Sequence, residues 1–537
     1  MAFPNTYSVG ITSLGYQIIW SILAQRNDVD VRRLFTDKGD APHRRCDLFG
    51  FSLSWELDSP VLLDLLEKQK IPIWTHQRKE EDPIVFGGGQ VLTANPEPMA
   101  PFLDVVLLGD GETLLPKFIN VIEENKYNSR SHKLHALAQI PGIYVPALYE
   151  PIYNLNEELI AINPKDSNIP QLISKQSWDS NTLSHSTVIT PEAAWPNIHM
   201  VEVVRSCPEL CRFCLASYQN LPFRSASLED GLIPAVEKGI NSTKRLGLLG
   251  ASITQHPQFK DLLTWLGQER FNDIHLSLSS VRASTVNPHM TKILSSRQCK
   301  SLTIAIESGS KRIRKVINKK LSEEEIFNAA QYAQEGGLKG LKLYGMVGLP
   351  SENEDDIEAT ADLLLRIKKR TRGLRLTLGV STFVPKANTP LQWFGVRSIA
   401  NQRIKLLSKS LKPKGIEVRA ESYKWSVIQA LISRSDRRLA PVIELVRGSN
   451  NSLGGWKKAY KSVKEGDLVI TKYENSSLPS LPDWENIIHS DLPLNTILPW
   501  EHLKGYIKTE SLIKHQEDIY NSRQENLMQK PQFVQSK

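Results

Sequence analysis

The chain has 537 residues, 40% of them apolar and 23% charged. That balance is globular, and the length suits about two to four domains; a disordered, collagen-like or coiled-coil chain is excluded. The net charge of +8 permits an anionic partner without requiring one, and no run approaches the roughly 20 apolar residues that span a bilayer. The first 25 residues carry no charge and lack the basic start and cleavage site of a secretory signal, so a cytoplasmic location is expected. Five cysteines are too few for a disulfide framework.

Residues 1–138 alternate strand and helix signals. Tyr7–Thr12, Val31–Phe35, Leu48–Ser52, Ile71–Thr75, Pro83–Phe86 and Asp104–Leu108 read as strands, with helix over Tyr16–Gln25 and around Leu62–Glu67. Such alternation predicts a parallel sheet covered by helices. Residues 139–197 are broken by seven prolines from Pro141 to Pro196 and read as a β-like linker.

Residues 198–390 form the clearest α/β block. Six strands are expected: Ile198–Val204, Arg245–Leu249, Ile274–Leu278, Ser301–Ile306, Gly340–Val347 and Arg375–Phe383. Ser322 with Glu325 and Asn353 with Asp356 are capping pairs that open helices between them. Six such units predict a partial (β/α)6 barrel of the TIM type, whose strand carboxyl ends form the site. Residues 391–520 read as mostly helical and 521–537 as a disordered tail.

Three of the five cysteines, Cys207, Cys211 and Cys214, lie within eight residues. Thiolates this close converge on one soft metal centre. A structural zinc site would need a fourth ligand, and no other cysteine is near in sequence. Three buried, unliganded cysteines are the bland alternative. Cys46 and Cys299 read as small buried apolar groups. The basic run from Arg366 to Arg375 falls at a helix end and reads as a solvated face.

Cys-x-x-x-Cys-x-aromatic-Cys after the first strand of such a barrel resembles the signature of the radical S-adenosylmethionine (SAM) superfamily, with Phe213 in the aromatic slot. The resemblance implies that Cys207, Cys211 and Cys214 hold a 4Fe-4S cluster. The cluster would cleave SAM reductively to a 5′-deoxyadenosyl radical, with electrons from a flavodoxin- or ferredoxin-type donor. It further implies a SAM site built from Phe213, Gly250, Ser280, Arg282 and Glu307, the last in an Glu307-Ser308-Gly309-Ser310 turn. No catalytic residue is assigned to the substrate step.

The front half resembles the subgroup that carries a cobalamin-binding domain, which makes it a degenerate Rossmann-like domain of cobalamin-binding type. The likeness rests on Gly87-Gly88-Gly89, Asn95-Pro96-Glu97-Pro98 and Gly109-Asp110-Gly111-Glu112. It continues past the barrel in Phe383-Val384-Pro385-Lys386, Gln392-Trp393 and Ser435-Asp436-Arg437-Arg438-Leu439. The cobalamin signature Asp-x-His-x-x-Gly is absent, which leaves cobalamin open. Leu210 and Ser206 stand where the family commonly has glycine before a cysteine. The implied reaction is methylation, cyclisation or rearrangement of an unidentified substrate. Alternatives are a tRNA- or RNA-modifying radical SAM enzyme and a non-catalytic, metal-stabilised RNA-binding or assembly protein. No membrane partner is expected.

Overall fold

A computed structural model describes residues 1–40, 46–449, 451–466 and 478–528. The front sheet is built on β1 (Leu48–Ser52), β2 (Ile84–Gly88) and β3 (Val105–Leu107), all parallel, with β4 (Ile143–Tyr144) antiparallel to β3. Val85, Phe86, Val105 and Val106 are buried, as expected of strands covered on both faces. Beyond β1 the chain start adds to the edge: Ala2 bridges Phe51 on one side and Leu34 on the other. The order Leu34, Ala2, β1, β2, β3, β4 reverses beside Ala2, as in doubly wound sheets.

Three expected front strands are corrected. Tyr7–Thr12 is a helix, pressed onto the chain start so closely that a Cβ at Gly10 would meet the Phe35 ring at 2.6 Å. Val31–Phe35 contributes only the bridge at Leu34, and Ile71–Thr75 leads Trp74 into the core before a turn of 3₁₀ helix, Thr75–Gln77. In each case tertiary packing overrides β propensity. In the linker, Tyr149–Tyr153 and Leu159–Pro164 form a hairpin, and Ile173–Ser174 pairs with Leu503–Lys504.

The barrel strands are β5 (Ile198–Glu202), β6 (Arg245–Leu249), β7 (His275–Leu278), β8 (Ser301–Glu307), β9 (Gly340–Val347), β10 (Arg375–Thr382) and β11 (Glu417–Ala420). They are parallel in the order β5-β6-β7 and β8-β9-β10-β11, and the Val281–Ile304 bridge joins the two halves. The seventh strand, β11, lies in the stretch expected to be helical. Only Val418 of Glu417-Val418-Arg419-Ala420 is buried, so its apolar signal is too thin to read. Both expected capping boxes are present.

Burial alternates along β8, β9 and β10. Leu302, Ile304, Leu341, Leu343, Leu376 and Leu378 pack against helices. The opposite face carries Thr303, Lys342, Thr377 and Ser381, and Tyr344 there is 49% exposed. The interior is therefore a polar, open lumen where a closed barrel would hold packed branched side chains.

The C-terminal helices, among them Tyr423–Arg434 and Ala440–Val446, share one apolar core with the front domain: Leu62, Leu63 and Trp74 pack with Val427, Leu431 and Ile443. The last helix, Thr509–Met528, runs into the stretch expected to be a disordered tail; 529–537 lie outside the described residues. Among the described residues no helix is long and apolar enough to cross a membrane.

Candidate functional site: a cysteine loop at the barrel mouth

After β5 the chain forms a short antiparallel pair, Val204–Arg205 with Arg224–Ser225, which closes the neck of a loop holding all three clustered cysteines. Ser206 and Leu210 have φ of +72° and +50°. Left-handed backbone costs a non-glycine residue roughly 1 kcal/mol or more. This is the physical reason that glycine suits the residue before each of the first two cysteines, and here the surroundings hold the conformation instead. The Ser206 hydroxyl donates to the Ser217 carbonyl at 3.2 Å, and the Leu210 carbonyl accepts from Tyr218 Oη and Asn318 Nδ2, each at 3.0 Å. Arg212 ties the loop to the end of helix Lys311–Val316 through its backbone N–H to Ile317 (2.9 Å) and its guanidinium to Val316 (2.8 Å).

Two of the thiols, Cys211 and Cys214, sit in a dry setting. Burial pushes the Cys211 thiol up to about 12, with Lys319 opposing, and burial also raises Cys214. Cys211 feels the charges of Cys207, Cys214, Glu307 and Lys319, and Cys214 those of Cys207 and Glu307. Among the described residues no group of three or more His, Cys, Asp and Glu is set to hold a single metal ion. A soft all-thiol donor set on one over-determined loop, with ionisation opposed until a cation neutralises it, fits an iron–sulfur cluster.

The other expected residues divide. Glu307, at the end of β8, has φ +63° where the pairing with β9 bulges, and its carboxylate meets Lys319 Nζ at 3.1 Å. Its turn is held from below: Gly309 N donates to Thr360 Oγ1 (2.9 Å) and the Ser310 hydroxyl to Asp356 (2.6 Å). Gly250 follows β6 directly with φ +150°, and a Cβ there would meet the Val204 carbonyl at 2.7 Å, so strand end and neck are in contact. Arg282 is engaged by the cysteine loop, its Nη1 lying 3.1 Å from Glu209 Oε2. Glu209 also accepts from Gln255 Nε2 at 2.6 Å, and Gln255 Oε1 faces Cys207 Sγ at 3.9 Å. Ser280 is half-buried between β7 and the bridging Val281. Phe213 is half-buried and packs against the apolar cluster that includes Ile313, Val316 and Phe383.

Lys319, Gln255, Glu209 and Asn318 went unread, because no local pattern marks a residue that meets the loop only through the fold. The basic run is solvated as expected, and the structure adds partners for it: Arg366 meets Glu323 and Asp362, and Arg370 lies over the Phe327 ring at 3.9 Å.

An open parallel barrel with a soft-metal loop at the carboxyl end of its first strand, preceded by a doubly wound domain, defines the architecture of a radical SAM enzyme. The comparisons agree. Residues 201–364 match the model of the radical SAM superfamily, and residues 15–146 match that of the N-terminal region of radical SAM proteins. The chain is a radical SAM enzyme. It is 26% identical over 490 residues to an uncharacterised protein of Methanocaldococcus jannaschii, covering 90% of this chain and 97% of that one. It is 26% identical over 178 residues to the tRNA-2-methylthio-N(6)-dimethylallyladenosine synthase of Alkaliphilus oremlandii, covering 30% of this chain and 37% of that enzyme. Its fold resembles the radical SAM methyltransferase TsrM of Kitasatospora setae, solved with cobalamin and a 4Fe-4S cluster (TM-score 0.50, 12% identity, 73% of each chain).

A 4Fe-4S cluster and SAM are therefore implied. The front domain offers less to cobalamin. Its described histidines His76, His132 and His135 lie on the turn Thr75–Gln77 and the helix Arg130–Ala138. Neighbouring Arg78 and Arg130 bind Asp104, which precedes β3, so these elements sit at the amino edge of the sheet. At the carboxyl edge, backbone fills the space: a Cβ at Gly89 would meet Leu53 O at 2.5 Å, and one at Gly109 would meet Gln176 O at 2.0 Å. Among the described residues a cobalamin here would bind without a histidine ligand.

Proposed function

We propose that Cys207, Cys211 and Cys214 hold the cluster and that SAM binds at the adjoining strand ends, served by Gly250, Ser280, Arg282, Glu307 and Phe213. The substrate then enters the polar lumen lined by Lys342 and Tyr344. The observation that carries this reading is the gathering of the three thiols with Glu307 and Lys319 where β5 and β8 end. When bound, the cluster and SAM supply a one-electron reductive cleavage and a carbon-centred oxidant that abstracts hydrogen. The chain's own part is placement. The tight loop keeps Cys211 and Cys214 apart from water, the Glu307–Lys319 pair presents a carboxylate fixed for hydroxyl groups, and Arg282, paired with Glu209, meets the SAM carboxylate by exchanging that partner. A low-potential protein such as a flavodoxin or ferredoxin delivers the electron, and the product is a methylated, cyclised or rearranged substrate.

The test is anaerobic reconstitution with iron and sulfide, reduction, and assay for 5′-deoxyadenosine. Wild type forms it, and Cys211→Ala does not. Wild type that binds no iron and no SAM overturns the assignment.

A second reading, modification of RNA, draws on the local likeness to a tRNA-modifying synthase. It predicts tRNA binding that weakens steeply with salt; binding that is weak at low salt removes it.

A further inference from the structure

The Gly109-Asp110-Gly111-Glu112 turn of the front domain has no part in the site as described, yet it reaches the neck of the cysteine loop. Asp110 Oδ1 lies 3.1 Å from Arg205 Nη1, and its Oδ2 lies 2.5 Å from Arg224 Nη1 and accepts from Trp178 N at 2.8 Å. Arg205 and Arg224 face each other in the antiparallel pair that closes the neck, Arg205 immediately before Ser206 and Cys207. Arg224 also donates to the carbonyls of Asn220 (2.8 Å) and Pro222 (3.0 Å), within the returning arm of the loop. Glu112 and Glu202 contact Arg205, at 2.8 and 2.7 Å, and neither is paired with Arg224. Among the described residues Asp110 is the one carboxylate that grips both arms.

The grip is built in. Gly109 bridges Gln176 so tightly that only glycine fits, and Asp110 N donates to Gln176 O at 3.0 Å. The three partners are nearly buried, with side-chain exposures of 14% for Asp110, 12% for Arg205 and 8% for Arg224. Two guanidiniums held side by side in such a setting repel unless a shared anion lies between them.

We propose that Asp110 is a positioning residue for the cluster: from the front domain it clamps the neck of the cysteine loop and so sets the spacing of Cys207, Cys211 and Cys214. This rests on the assignment of those cysteines to the cluster, and it makes the front domain part of the machinery that holds the metal, whatever else that domain binds.

The experiment uses the full chain and Asp110→Asn, which keeps shape and removes charge. Alkylation by iodoacetamide is timed at each cysteine by peptide mapping, before reconstitution. Cys46 and Cys299 lie outside the loop and serve as internal controls. Expected is a rise at Cys207, Cys211 and Cys214 of roughly tenfold, as when a local opening loses one charge-assisted contact, with the two controls unchanged. Loop rates equal to wild type overturn the clamp. Should all five rates rise together, Arg224→Gln, which leaves Asp110 bonded to Arg205, is scored the same way: a rise confined to the loop supports the clamp, and a uniform rise overturns it. After reconstitution, iron release to a chelator is timed in both proteins. Faster release from Asp110→Asn supports the role toward the cluster; release at the wild-type rate despite a loosened loop overturns that role. Wild type that takes up no iron instead sinks the cluster assignment, while the alkylation pattern still decides the clamp.

Discussion

Arg437→Met strands a buried carboxylate at the joint between the front domain and the C-terminal helices. Glu97 is fully buried; it accepts from Tyr144 Oη at 2.5 Å and from Arg437 Nε at 2.8 Å. Burial is the largest single influence and opposes its charge, but Arg437, His502 and the Tyr144 hydroxyl together outweigh it and hold the carboxyl below its usual 4.5. Breaking a buried pair from one side costs about 3–5 kcal/mol, because the remaining charge is left without a partner. The double variant Glu97→Leu/Arg437→Met removes both charges and should lose only about 1–2 kcal/mol, the residue of an unpaired Tyr144 hydroxyl. The pH dependence reverses in sign. In wild type the folded pKa lies below the unfolded value, so the contribution of Glu97 is present above about pH 4.5 and lost on acidification. In Arg437→Met the folded pKa lies above it, so the penalty is greatest at high pH and shrinks as pH falls. Urea unfolding at pH 8 and pH 5.5 reads this, with hydrogen exchange of the peptides around Glu97 and Arg437 isolating the joint from the barrel. Equal losses in the single and double variants, or a loss in Arg437→Met that ignores pH, refute the reasoning.

Other substitutions follow from the same geometry. Gly309→Ala places a Cβ 2.4 Å from the Thr360 Cα and 2.5 Å from the Ala359 carbonyl; both are backbone, so a stability loss of about 2–3 kcal/mol and a displaced Glu307 are expected, read by thermal melting and SAM affinity. Ser206→Gly should change stability by less than about 1 kcal/mol, since relief at φ +72° offsets the lost hydroxyl bond, whereas Ser206→Val, β-branched at a left-handed position, should cost more than about 2 kcal/mol. Burial pulls His502 down to about 4 from 6.5. Its folded form resists the proton that the unfolded chain takes up, so about 2 kcal/mol should be lost between pH 7 and pH 5. His502→Phe should flatten that slope in urea titrations.

The barrel was legible because its strands carry dense apolar runs and its helices carry caps; Ser322–Glu325 and Asn353–Asp356 are local features that survive any packing. The cysteine loop was legible because thiol spacing is itself local. Tyr7–Thr12 and Ile71–Thr75 were misread because their apolar residues serve contacts with distant chain, and β11 because an edge strand facing a lumen needs one buried side chain only. The motifs flanking the barrel had no meaning in isolation, and the fold supplies it. Asn95 Nδ2 caps the carbonyls of Ser433 and Ser435, Glu97 meets Arg437, and Lys386 meets Glu56. Gln392 Oε1 accepts from Trp500 Nε1 at 2.9 Å. Each motif is half of a joint whose other half lies more than a hundred residues away, which is why no window of sequence explains it.

The polar lumen separates two demands that most enzyme cores combine. Helix-facing residues such as Leu343 and Leu378 carry the cohesion of the barrel. Tyr344 is exposed and Thr303, Lys342, Thr377 and Ser381 are only half-buried, so they hold little of it. Replacing them one at a time should leave folding nearly untouched while reshaping what fits inside. Such a scaffold can drift from one substrate to another without first accumulating a reserve of stability, and descendants that share its outer layer need share no substrate at all.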